Sequence, residues 1–229
     1  YLDFCKDGVF LKDDQSCFYI YQQTTPENIY TGIIAASSVE DYINGSIKVH
    51  EHTISKREAI FTDYLETTGF NAEPVLLTYP KLPRVNEIIK KCMRETPEYE
   101  FSTTNKVLHR LWLMDKLDDV KELQALFLDL DSVYIADGHH RSSSSALNCM
   151  RQRHKHKSYN GSEPFNYFMS FLIDEEQLRI YDFNRLVKDL NGWSINAYLS
   201  KVSETYTITK ITIGKPKFKD EIYMYLDGT

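Results

Sequence analysis

One segment constrains this chain more than any other: Val133-Tyr134-Ile135-Ala136 runs into Asp137-Gly138-His139-His140-Arg141, and Ser142-Ser143-Ser144-Ser145-Ala146-Leu147 follows at once. The pattern predicts a strand over 132–135, a polar turn, and a helix beginning at Ser142. The first backbone N–H groups of such a helix have no partner within it and point back at the turn. Strand end, turn and helix N-terminus together make an anion site, and the residues in it suit phosphate.

Each residue type has its own physical reason. Gly138 permits backbone angles that a side chain forbids and lets a ligand approach the main chain. Arg141 presents a fixed fork of donors matched to phosphate oxygens, and His139 and His140 donate hydrogen bonds or change charge near neutral pH. With the N–H groups near Ser142 and Ser143 these form the expected phosphate cradle. Asp137 stands out, because a carboxylate beside a phosphate is unfavourable unless it holds a cation such as Mg²⁺, takes a proton from an attacking hydroxyl, or pairs with the neighbouring bases. The plainer alternative is a helix start capped by Asp137, with His139, His140 and Arg141 merely solvated.

The rest of the chain alternates between strands and helices. Runs at 17–21 and 32–36 read as a hairpin around Pro26-Glu27-Asn28, and Ser38 caps a short helix that Asn44-Gly45 ends. Ser55 and Glu58 have capping-box spacing, Ile60, Phe61, Tyr64 and Leu65 form an apolar stripe, and Gly69 stops that helix. Strands follow at 74–79, 107–113, 165–173, 178–183 and 205–213, with helices at 83–95, 118–128 and 193–202. This mixture predicts an α/β (α+β) fold, a mixed sheet with flanking helices. The 229 residues are expected to form one domain with a subdomain boundary near 158–163, and both ends read as cut from a longer chain.

A second polar cluster, His50-Glu51-His52-Thr53, sits where Ile47-Lys48-Val49 passes into a helix. Sites in open α/β sheets lie outside strand ends, so this cluster and the Asp137 turn are expected to share a crevice. If they do, Glu51 and Asp137 become two carboxylates near the phosphate cradle, one able to act as base on a substrate hydroxyl while the other holds Mg²⁺. Glu51 has a simpler option in surface pairs with Lys48, Lys56 or Arg57. The histidines 50, 52, 139 and 140 also raise a zinc or iron site, although adjacent His139 and His140 point in different directions.

The net charge of −6 argues against a general nucleic-acid binder. The one basic run, Arg151 to Lys157, lacks interleaved aromatics and reads as a solvated helix end. Four cysteines without a CxxC pair suit reduced thiols in the cytoplasm, and no apolar run is long enough to span a bilayer.

The residues Ile135 to Arg141, together with His50-Glu51-x-Thr53, the Tyr19-x-Tyr21-x-Gln23 strand and Thr31-Gly32-Ile33, resemble an uncharacterised bacterial and archaeal family. That family is similar to the SerK-like free-serine kinases of the ParB/sulfiredoxin superfamily, and the resemblance covers most of the chain. It implies a ParB/sulfiredoxin-like core, nucleotide phosphates held by the turn from Asp137 to Arg141, and Glu51 as the base for phosphoryl transfer to a serine hydroxyl. The expected function is therefore a nucleotide-dependent small-molecule kinase using ATP or ADP with Mg²⁺. Two rivals stand beside it: a CTP- or ATP-binding switch without kinase chemistry, and a metal-dependent hydrolase using the histidines.

Overall fold

The apolar runs that open the chain pair as expected. Strand β1 (Phe18–Thr24) turns back through Thr25, whose hydroxyl and amide both bond Asn28, into the antiparallel β2 (Ile29–Ser38). The computed structural model describes residues 2–51, 53–181, 184–211, 214, 216 and 221–226. The chain divides into two units, Tyr1–Arg179 and Ile180–Thr229.

The first unit is built on a mixed eight-stranded sheet. Its further strands are β3 (Ile47–Lys48), β4 (Val75–Tyr79), β5 (Tyr99–Ser102), β6 (Leu108–Met114), β7 (Val133–Asp137) and β8 (Tyr167–Asp174), in the order β3-β7-β4-β8-β2-β1-β6-β5. The pairs β3/β7 and β4/β8 are parallel and the others antiparallel. Among the described residues, this unit has six α-helices: α1 (Leu2–Lys6), α2 (Val39–Ile43), α3 (Ser55–Thr68), α4 (Pro83–Cys92), α5 (Leu117–Leu128) and α6 (His139–Lys155). Ser38 caps α2 by accepting from the Glu40 amide, and Pro83 supplies the preset φ of the first turn of α4.

The core joins Ile20, Ile33, Leu77, Ile135 and Phe168 of the sheet to Val85 and Ile88 of α4, Leu123 of α5, and Ala146 and Cys149 of α6. Each large apolar side chain buried in this way contributes about 1.5–3 kcal/mol. Gly32 serves a different purpose, since a Cβ there would lie 2.3 Å from the Leu172 carbonyl oxygen on β8. Only glycine lets β2 and β8 pair at this point.

Two sequence expectations need correction, and one strand was not expected at all. The strand expected at 178–183 does not form over 178–181, and Asp182 and Phe183 lie outside the described residues. A returning hairpin strand has no place beside β8, whose two edges are already taken by β4 and β2. In the second unit α7 (Ile195–Ser203) forms with Ser194 as its cap, but residues 205–211 carry no strand, and 212 and 213 lie outside the described residues. Finally, β5 pairs with β6 as an exposed edge strand that no burial alternation announces.

Helix α3 departs from expectation in its packing. Ile60 and Phe61 are 61% and 41% exposed, while Thr62 is fully buried. The Thr62 hydroxyl donates to the Glu58 carbonyl at 2.7 Å and reaches the Ser144 carbonyl at 3.4 Å. Ser144 in turn donates to the Glu58 carbonyl at 3.2 Å. Small hydroxyl side chains thus join α3 to α6, while Ile60 and Phe61 of the apolar stripe are exposed and Tyr64 and Leu65 half-buried. Among the described residues, no helix is long and apolar enough to cross a membrane.

Candidate functional site

Sheet topology brings three segments to one place. Parallel pairing of Ile47 with Val133 and Lys48 with Tyr134 makes β3 and β7 end on the same side of the sheet. Antiparallel pairing of Leu76 with Asp137 puts the start of β4 there too. The cluster after β3, the turn after β7 and the loop before β4 therefore adjoin one another.

The turn is tighter than the sequence suggested. Gly138 adopts φ 100°, ψ 26°, and α6 begins at His139 rather than at Ser142. The amides of Arg141 and Ser142 already bond the Gly138 carbonyl, at 2.9 and 3.0 Å. Among the first-turn N–H groups, those of His139 and His140 are the ones a helix start leaves without a partner in the helix. The expected roles of Ser142 and Ser143 move accordingly. Ser142 is fully buried with its hydroxyl on the His139 carbonyl at 3.0 Å, and the Ser143 hydroxyl is given to Glu58. Left-handed Gly138 turns the chain at once, so the helix starts without waiting for the serines.

Arg141 forks between two acids. Its Nη1 donates to Glu73 at 2.7 Å and its Nη2 to Asp137 at 2.6 Å. Asp137 neither caps the helix nor stands alone; it takes the pairing option open to a carboxylate beside bases. Both acids are well exposed, at 75% and 73% of their side chains, so each pair is worth under about 1 kcal/mol and exchanges readily. Glu73 has no signature in the sequence, since it stands in a loop just before a strand.

On the other side of the turn lies His139, only 6% exposed. Its Nδ1 is 3.8 Å from Glu51 Oε2, and the His50 ring meets it edge-on with centroids 4.4 Å apart. Glu51 forms no ion pair with Lys48, Lys56 or Arg57. Burial, reinforced by nearby His50, pushes the His139 imidazole below its ordinary value, while Glu51 and Asp137 pull the other way. The ring is therefore neutral near pH 7. Its Nε2 accepts a long 3.5 Å bond from the His50 amide, which leaves the ring proton on Nδ1, facing Glu51.

That tautomer bears on the metal question. His50, Glu51 and His139 each offer a ligand atom, all within 4.8 Å of one another. A metal-bound imidazole, however, gives its second N–H to an acceptor, and here the second nitrogen faces a donor. The 3.8 Å from Nδ1 to Glu51 is longer than a hydrogen bond, and the orientation fits a carboxylate–imidazole pair better than a zinc or iron ligand triad. His52 lies outside the described residues. His140 turns elsewhere, with a shielded Nδ1 that makes no hydrogen bond, on the side of Glu58.

Glu58 is the residue whose role the sequence hid. Instead of closing a capping box with Ser55, it accepts hydroxyl bonds from Ser143 and Thr53, and α3 starts without a side-chain cap. Those bonds, Ser143 foremost, hold its carboxyl below the ordinary glutamate value. Thr53 thus ties the β3 cluster to α3 and, through Glu58 and Ser143, to α6.

Fold and site together define a mixed α/β protein whose strand–glycine–helix turn carries two imidazoles and an arginine between two acid-bearing segments. The chain belongs to the family described as Protein of unknown function (DUF1015), whose model matches residues 1–229. No curated protein and no solved structure matches it.

Proposed function

We propose that this protein is a nucleotide-dependent small-molecule kinase, passing a phosphoryl group from ATP or ADP to the hydroxyl of free L-serine or a similar metabolite. The observation that carries the reading is the Glu51 carboxylate 3.8 Å from His139 Nδ1, the first residue of α6. A base stands beside a helix N-terminus able to receive phosphate oxygens.

Phosphoryl transfer depends mainly on positioning and on neutralising charge. The His139 and His140 amides and the positive end of α6 take the phosphates. Arg141 exchanges an exposed carboxylate for a phosphate at little cost, because its ion pairs are weak. Glu51, 3.8 Å from His139 Nδ1, accepts the proton of the substrate hydroxyl as the new O–P bond forms. The bridging O–P bond of the donor breaks, and its electron pair leaves on the nucleotide. Mg²⁺ commonly uses one or two carboxylates together with phosphate oxygens. Asp137, an exposed acid at the turn, would hold it, and the ion would supply further charge neutralisation when bound.

The test is phosphoserine formation, read by mass spectrometry, with ATP or ADP, Mg²⁺ and L-serine. Glu51→Gln should lower turnover by about 100-fold or more while leaving nucleotide affinity intact. Saturable nucleotide binding, abolished by Arg141→Ala, without any phosphorylated product would defeat the kinase reading and leave a nucleotide-binding switch.

A further inference from the structure

A cavity of about 350 Å³ opens between α3 and α6. Phe61, Tyr64 and Leu65 of α3 wall one side, and Asn71 and Glu73 of the loop before β4 close an end. The floor is α6 itself, where Ser144 and Ser145 are small enough to leave space and Arg141 stands at the mouth. Tyr64 is braced edge-on by Phe70, with ring centroids 5.8 Å apart. Phe61, 41% exposed, thus has a cavity to line with the half-buried Tyr64 and Leu65.

We infer that this cavity receives the base and sugar of the nucleotide whose phosphates lie at the start of α6. The inference rests on the kinase reading and adds the seat and direction of the nucleotide. Two aromatic rings with few polar groups match a flat heteroaromatic ring, which stacks on such side chains, while the Asn71 amide reaches its polar edge. Ser144 and Ser145 lie about 8–9 Å along α6 from His139, at 1.5 Å per residue, a span for sugar and phosphates to bridge. Arg141 belongs to both places, lining the cavity and sitting in the first turn of α6. Glu51 stands on the far side of that turn. The nucleotide therefore runs from the α3 cavity across the helix end, with its terminal phosphate toward Glu51 and the acceptor on the β3 side.

Calorimetric titration of the full chain with Mg-ADP, and separately with inorganic pyrophosphate and Mg²⁺, tests this. Phe61→Ala should weaken Mg-ADP about tenfold or more and leave pyrophosphate affinity unchanged, with Phe61→Tyr restoring the wild-type value. Circular dichroism of each variant confirms that the fold is kept. Unchanged Mg-ADP affinity in Phe61→Ala, or equal weakening of both ligands, overturns this inference and leaves the kinase reading standing. Failure of the wild-type protein to bind either ligand overturns both.

Discussion

Replacing Gly138 by alanine tests the turn on which the site depends. The new methyl group enters a backbone at φ 100°, and it meets Arg141 Nε and Nη2 at 3.1 Å. A left-handed conformation costs an L-residue about 1–2 kcal/mol. The close contact pushes the guanidinium aside and loosens its pairs with Asp137 and Glu73, for up to about 1 kcal/mol more because both acids are exposed. The total is about 1–3 kcal/mol. For a domain of this size each kcal/mol moves the melting temperature by about 2–4 °C, so thermal unfolding followed by circular dichroism should fall by about 2–12 °C. Gly138→Asn should lose less, since asparagine visits this region more readily. An alanine variant that melts with the wild type, and an asparagine variant no better than alanine, would refute the left-handed turn.

Gly32→Ala forces a methyl group against the Leu172 carbonyl and should cost about 3 kcal/mol or more, read as a lower urea midpoint. Glu58 has a folded-state value lowered by its hydroxyl partners, so its contribution is complete above the ordinary value of 4.5 and disappears as pH falls through the lowered one. Glu58→Gln should therefore melt about 2–4 °C below wild type at pH 7, for about 1 kcal/mol of lost bonding, and the gap should narrow as pH falls below 4.5 and vanish through the lowered value. His139 is also lowered, so the folded state resists a proton that the unfolded chain accepts below 6.5. Wild-type stability should fall as pH drops from 6.5, and His139→Gln should flatten that slope.

Much of the site was legible because its chemistry is contiguous. The strand, Gly138, the two imidazoles and Arg141 follow one another along the chain, and periodicity marked the flanking strand and helix. The adjacency of Glu51 and His139 was less accessible, since it depends on a parallel pairing made by a strand of only two residues. Helix onset was placed late because four serines resemble a capped start, whereas the left-handed glycine begins α6 at His139. Glu58 fitted a capping box on spacing alone, yet Ser143, distant in sequence, competes for its carboxylate. Glu73 left no trace, as loop acids before strands are common. The packing of α3 is hidden for a related reason: spacing reports that a helix has an apolar side, and the hydroxyl-rich face of α6 decides that Thr62 rather than Ile60 and Phe61 is the fully buried residue.

The most direct measurement is amide NMR of the folded chain during titration with Mg-ADP, following the His139 and His140 resonances. Their N–H groups should shift more than other backbone amides, saturate with nucleotide, and stay still in Arg141→Ala. Resonances that remain fixed at every concentration of nucleotide, or while nucleotide binds elsewhere, would contradict the placement of phosphate at the start of α6.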